Sequence, residues 1–227
     1  MGLFITFEGG EGCGKSTQAG ALWKKLHQKN IPATLTHEPG GTALGNEIRK
    51  LLKRKPCPER SEGTPISPQA ELLLFAACRV QLLAEVILPA LEEGKVVVCD
   101  RFAHSTLVYQ GYGRGLDLTV VEMVNNLATQ NLKPDLAILL DISPEQGLAR
   151  KRSLKDRFEL EDLSFHRRVR EGYLKMAATD PERWLVIDAS LPKNKIAKIV
   201  WEKVSQLLPP PHHCEPNFFS LDGRGLR

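Results

Sequence analysis

Five short apolar runs punctuate the chain: Leu3 to Phe7, Ala33 to Thr36, Val96 to Cys99, Leu136 to Leu140 and Trp184 to Ile187. They are rich in valine, isoleucine and leucine and too short for helices. In three of them the apolarity is continuous instead of alternating, as befits strands covered on both faces. Stretches with helical periodicity separate nearly all of them. Strands alternating with helices predict an α/β fold in which a five-stranded parallel sheet is flanked by helices on both faces.

Polar residues mark where the helices begin and end. Ser67-Pro68 offers a cap and a first-turn proline to a long apolar helix running through Leu91. Ser143-Pro144-Glu145-Gln146 is a capping box, and Thr42 and Asp117 are weaker caps. Gly94 suits a left-handed helix stop, and Ile196, Ile199, Val200, Val204 and Leu207 mark a closing amphipathic helix. The charged, proline-rich stretch Lys53 to Pro65 reads as a surface loop. Pro209 to Arg227 has no periodic pattern and is expected to be a disordered tail, leaving residues 1–208 as a single domain. Within that tail His212, His213 and Cys214 lack a fourth donor at zinc-site spacing, so no metal site is expected there.

Composition narrows the class. With 227 residues, 42% of them hydrophobic, the chain buries enough for one large domain. A net charge of +4 gives no ground for a nucleic-acid partner. Five cysteines without a C-x-x-C pair read as reduced thiols. No signal-peptide pattern and no apolar stretch of spanning length stand out, so a cytoplasmic protein without a membrane partner is expected. Met1 to Thr6 matches an acylation pattern, but the same residues form the first strand.

The first strand feeds Gly9-Gly10-Glu11-Gly12-Cys13-Gly14-Lys15-Ser16, followed by Thr17, a complete G-x-x-x-x-G-K-[ST] phosphate loop. Its glycines free the backbone to converge N–H groups on a phosphate, Lys15 adds a cation, and Ser16 offers a hydroxyl to Mg²⁺. A P-loop NTPase fold binding a nucleoside triphosphate with Mg²⁺ follows. A regulatory GTPase would need N-K-x-D, yet Asn194-Lys195 is followed by Ile196-Ala197. Its D-x-x-G switch occurs only in the tail, from Asp222 to Gly225. A motor or assembly ATPase would end a core strand in two acids, whereas the third strand here ends in Asp100-Arg101. Asp100 suits Mg²⁺ through water, and Arg101 suits charge on a phosphoryl group passing between two anions. The run Arg150 to Arg157 holds five cations and one anion and reads as a short basic lid over about residues 149–159.

Several separated stretches resemble thymidylate kinase of the bacterial type, over approximately Leu3 to Leu208. They are Phe7 to Thr17, Glu38-Pro39-Gly40-Gly41-Thr42, Leu74 to Arg79, Asp100-Arg101-Phe102 and Ser105 to Gly111. The resemblance implies transfer of the γ-phosphoryl group of ATP to dTMP, giving dTDP for dTTP synthesis, in a homodimer. It also implies that Glu11 accepts from the 3′-hydroxyl of dTMP, that Phe75 stacks on thymine and that Arg79 donates to its edge. Arg101 would hold the acceptor phosphate, Asp100 would lie near Mg²⁺ and Tyr109 would lie under the sugar. Thr106 would neighbour the base, with Pro39, Gly40 and Arg49 framing the site. Gly12 stands where some members carry a phosphate-binding arginine, which shifts that task to the lid arginines Arg150, Arg152 and Arg157, with Arg150 and Arg157 favoured. His37 replaces an arginine usual in bacterial members. The alternatives are a kinase of another nucleoside monophosphate, or a nucleotide-binding module without turnover.

Overall fold

The structure, a computed structural model, describes residues 2–54, 66–150 and 156–208. All five expected strands form, each one residue longer at its carboxyl end: β1 (Leu3–Glu8), β2 (Ala33–His37), β3 (Val96–Asp100), β4 (Leu136–Asp141) and β5 (Trp184–Asp188). They pair in parallel in the order β2-β3-β1-β4-β5. Alternate side chains of the central strands feed two cores, which is why their apolarity is unbroken. Ile5, Phe7, Val98 and Ile138 pack against α1 (Lys15–Gln28) on one face. Phe4, Val97 and Cys99 pack on the other against the long helix that begins at Pro68.

The boundary signals act locally. Thr42 Oγ1 accepts the N–H of Gly45 at the start of α2 (Ala43–Lys53), and Ser67 Oγ accepts that of Ala70 at the start of α3 (Pro68–Leu82). Helix α3 continues through a π-helical turn, Leu83–Ile87, into α4 (Leu88–Glu92). Pro89 has no N–H to donate, and beside it the Leu88 N–H reaches back to Leu83. Gly94 then ends the helix at φ 75°. This 25-residue assembly, Pro68–Glu92, is long and apolar enough by composition to cross a membrane, which corrects the expectation that no stretch approaches spanning length. Within the fold it carries Glu71 and Arg79 buried and paired.

Helix α5 (Ala103–Thr106) runs into a second π-helical turn, Leu107–Gly113, and Asp117 caps α6 (Leu118–Thr129). Ser143 caps α7 (Pro144–Ala149), Asp162 caps α8 (Leu163–Thr179), and α9 (Lys193–Leu207) closes the described chain. The expected lid core, residues 151–155, and the tail, 209–227, lie outside the described residues, as does most of the loop expected from Lys53 to Pro65.

Candidate functional site

Strand register gathers the motifs. Phe7 of β1 and His37 of β2 both stand opposite Asp100 of β3, so the chain leaves all three strands at one edge. The phosphate loop, the Glu38-Pro39-Gly40 turn and the Asp100-Arg101 step therefore surround one cavity of about 570 Å³, at the carboxyl end of the sheet. Gly9, Gly12 and Gly14 take φ of 137°, 69° and 97°. Gly14 precedes α1 without a side-chain cap, leaving the first N–H groups of the helix for an anion. Lys15 Nζ meanwhile donates to the carbonyls of Gly9 and Gly10 at 3.0 and 2.7 Å. A Cβ at Gly12 would stand 1.9 Å from the carbonyl oxygen of Gly147, so α7 closes on the loop where only glycine fits. That contact explains why an arginine has no room at this position.

Ser16 Oγ donates to Asp100 Oδ2. One residue on, Arg101 adopts φ 72°, a left-handed conformation that side chains other than glycine rarely take. Its Nη2 donates to Glu11 Oε1 at 2.6 Å and to Tyr109 Oη at 3.2 Å, and Tyr109 Oη donates to the same carboxylate at 2.8 Å. A carboxylate inside a loop built for anions is costly unless donors meet it, and these two do. Burial works against the charge of Arg101, but Tyr109, Glu11, Tyr173 and Asp100 outweigh it and hold the guanidinium above its ordinary value.

The wall built by α3 and α5 carries Phe75, Arg79, Thr106 and, in the π-turn, Tyr109 and Gln110. Arg79 is 1% exposed and almost fully engaged. Its Nε and Nη2 donate to Glu38, Nη2 also to Thr106 Oγ1 at 2.9 Å, and Nη1 to Asn125 Oδ1 at 2.7 Å. A single Nη1 hydrogen remains for a ligand. Burial raises the carboxyl of Glu38, with Arg79 pulling the other way. Arg49 Nη1 donates to Pro39 O at 2.6 Å and so braces the turn with which it was expected to frame the acceptor site.

Of the two favoured lid arginines the structure brings only Arg150 to the cavity, where its Nη1 donates to Ala189 O at 2.9 Å. Arg157 is turned away: its Nη2 pairs with Glu71 at 2.5 Å, and its Nε donates to Leu52 O at 3.2 Å. Glu71 is fully buried and also takes Gln110 and Arg114, so it gathers donors at the start of α3 and holds Arg157 there. The structure thus does not bring Arg157 to the cavity, although its neighbours Asp156 and Phe158 line it. Gly9, Gly10 and Cys13 back the loop without lining the cavity, whereas Glu11, Gly12, Gly14, Lys15, Ser16 and Thr17 line it.

Phe158, Glu38 and Ser105 of the wall, and Glu8 behind it, had no role in the sequence reading. Phe158 lies 5.9 Å from Phe75, ring to ring, and 6.1 Å from Tyr109. Glu38 anchors Arg79, and Ser105 links Arg101 to Glu8. Glu8 itself is fully buried, and burial pushes its carboxyl up to about 7 against its bonds to Ser105, Tyr173 and Phe102 and the charge of Arg101. A lone acid before proline, or at the end of a strand, carries no periodic signal. Among the described residues no cluster of three or more metal-ligating side chains occurs.

The thymidylate kinase family model matches residues 7–200. A thymidylate kinase from Dehalococcoides mccartyi (strain ATCC BAA-2100 / JCM 16839 / KCTC 5957 / BAV1) is 53% identical over 209 residues, which cover 92% of this chain and 98% of that protein. A thymidylate kinase from Synechococcus sp. (strain JA-2-3B'a(2-13)) is 49% identical, covering 91% and 96% respectively. The crystal structure of thymidylate kinase from Ehrlichia chaffeensis superposes with a TM-score of 0.70 at 33% identity, covering 90% of this chain and 99% of that one.

Proposed function

The chain belongs to the thymidylate kinase family and phosphorylates dTMP to dTDP at the expense of ATP, and from that premise we propose how its residues divide the work. The observation that carries the proposal is one cavity lined together by Lys15, Ser16, Arg101, Phe75 and Arg79. The loop amides and Lys15 hold the β- and γ-phosphates of ATP. Phe75 stacks on thymine, Arg79 gives its remaining hydrogen to the edge of the base, and Thr106 packs beside it. Glu11 and Tyr109 take the sugar, and Pro39 and Arg49 frame the acceptor. Arg101 bridges acceptor and transferred phosphoryl group, neutralising the repulsion between two polyanions as charge develops on the equatorial oxygens. Arg150, which lines the same cavity, is the lid arginine that joins it in this reading.

Ser16 Oγ and the Asp100 carboxylate lie together beside the phosphate loop, and a hydroxyl with a carboxylate is a hard oxygen pair of the kind Mg²⁺ takes along with waters and phosphate oxygens. Mg²⁺ bound there would neutralise phosphate charge. Assembly as a homodimer is supported by an exposed apolar face: Leu73 and Val80 on α3, with Met123 and Leu127 on the adjoining α6, are 47% to 79% exposed. Three buried free thiols, Cys13, Cys78 and Cys99, suit a reducing cytoplasm.

Acceptor-dependent ADP release, compared across dTMP, dUMP, UMP, CMP and AMP, tests the assignment. Preference for dTMP is expected, and equal turnover of all five would overturn the pocket roles given to Phe75, Arg79 and Thr106.

A further inference from the structure

Glu8 is the last residue of β1 and fully buried, yet the reaction as laid out has no task for it. Three donors converge on its carboxylate. Oε1 accepts the backbone N–H of Phe102 at 3.0 Å, and Oε2 accepts the hydroxyls of Ser105 at 2.7 Å and Tyr173 at 2.9 Å. Ser105 Oγ in turn takes Arg101 Nη1 at 3.4 Å.

The bond to Phe102 falls on the peptide directly after Arg101. The peptide before it is held too, because the Arg101 N–H donates to Phe7 O at 2.9 Å. Residues 7 and 8 of β1 therefore grip both sides of a residue whose φ of 72° is intrinsically unfavourable. Without that grip Arg101 would relax toward ordinary backbone angles, and its guanidinium would swing off Glu11 and Tyr109. We propose that Glu8 is a positioning residue for phosphoryl transfer, which enforces the left-handed turn at Arg101 and so aims its guanidinium into the cavity. The proposal rests on the role given above to Arg101.

A tie between sheet and helices would not by itself call for a charged group. Burial pushes the Glu8 carboxyl up to about 7, so an ionised side chain there costs stability that a neutral isostere would return. The bonds from Ser105, Tyr173 and Phe102 and the charge of Arg101 offset that cost only in part. Burial holds Tyr173 well above its ordinary value, so it stays a neutral donor. His104, whose Nδ1 lies 3.9 Å from Oε1, is pushed by burial down to about 4 and carries no charge at neutral pH. What a carboxylate adds is acceptor capacity for all three donors without a hydrogen of its own. Glutamine would turn its amide hydrogens toward either the Phe102 N–H or the hydroxyl pair.

The test is a double-mutant cycle of Glu8→Gln and Arg101→Ala, read as kcat, KM for dTMP and thermal midpoint. Glu8→Gln is expected to lower kcat roughly 10- to 100-fold, as a displaced catalytic group does. Its midpoint should be unchanged or higher, and in the Arg101→Ala background it should cost no more than about twofold. A Glu8→Gln enzyme with the parent kcat, or one losing the same factor with and without Arg101, would overturn the positioning role alone. Full activity of Arg101→Ala would overturn the reading beneath it as well. Should Glu8→Gln not fold, Tyr173→Phe removes one donor and spares the Phe102 bond. Several-fold loss of kcat that vanishes over Arg101→Ala supports the proposal, and equal loss in both backgrounds refutes it.

Discussion

Replacing Glu38 by glutamine would expose what the base pocket is built on. Glu38 and Arg79 have side chains 3% and 1% exposed, so the pair sits in a medium where an uncompensated charge is expensive. The two partners are not equivalent. Burial raises the carboxyl of Glu38, so an orphaned Glu38 can take up a proton, whereas an orphaned Arg79 cannot lose one. Glu38→Gln strands a buried cation and should cost about 3 to 5 kcal/mol, which in a domain of this size lowers the thermal midpoint by roughly 6 to 20 °C. Arg79→Met should be milder at low pH. The sign follows from the direction at Glu38: a carboxyl raised above 4.5 in the folded state contributes stability that is intact below 4.5 and lost as pH climbs through the folded value. Without Arg79 that folded value rises further, so Arg79→Met should lose stability between pH 5 and pH 8 while Glu38→Gln stays low at both. Urea unfolding followed by circular dichroism at the two pH values, with dTMP KM measured alongside, separates the cases. Both variants should weaken dTMP. Equal losses for the two variants, or a Glu38→Gln midpoint equal to that of the parent, would refute the argument.

Lys15→Ala and Arg101→Ala should each lower kcat by about 100-fold or more in a coupled ADP assay, because both groups act on charge that grows in the transition state. Gly12→Ala should drive the loop and α7 apart, since the new Cβ meets the Gly147 carbonyl and φ is 69°. Loss of ATP binding with a midpoint close to that of the parent is the expected calorimetric result, and unaltered ATP affinity would contradict it. Leu127→Asp, at a side chain 79% exposed on α6, should shift sedimentation from dimer to monomer at micromolar concentration. A parent protein sedimenting only as monomer would remove the basis for that experiment and for the homodimer.

What was legible in the chain follows the range of the interactions that create it. Strands β1 to β5 declare themselves because each is a local run, and the caps at Thr42, Ser67, Asp117 and Ser143 act within three residues. The phosphate loop is readable for the same reason, since its glycines, lysine and serine are contiguous. Phe75 and Arg79, four apart on α3, were reached only through family resemblance, and that route named them without their supports. Glu38 is 41 residues from Arg79, and Glu8 is 94 from the Phe102 N–H it accepts. Nothing short of the folded register brings such pairs together.

Arg157 shows the converse. Local charge density marked its run as a basic lid and family resemblance favoured it at the phosphates, but the anion that captures it, Glu71, is 86 residues away and buried in the start of an apolar helix. A cation goes to the strongest field within reach, and for Arg157 that field belongs to Glu71. A triphosphate in the cavity would compete for it. The contact that decides between them is Arg157 to Glu71, and Phe158, the very next residue, is stacked between that ion pair and the Phe75 wall. Two consecutive residues thus join the Glu71 ion pair to the aromatic wall of the cavity, Arg157 through its charge and Phe158 through its ring.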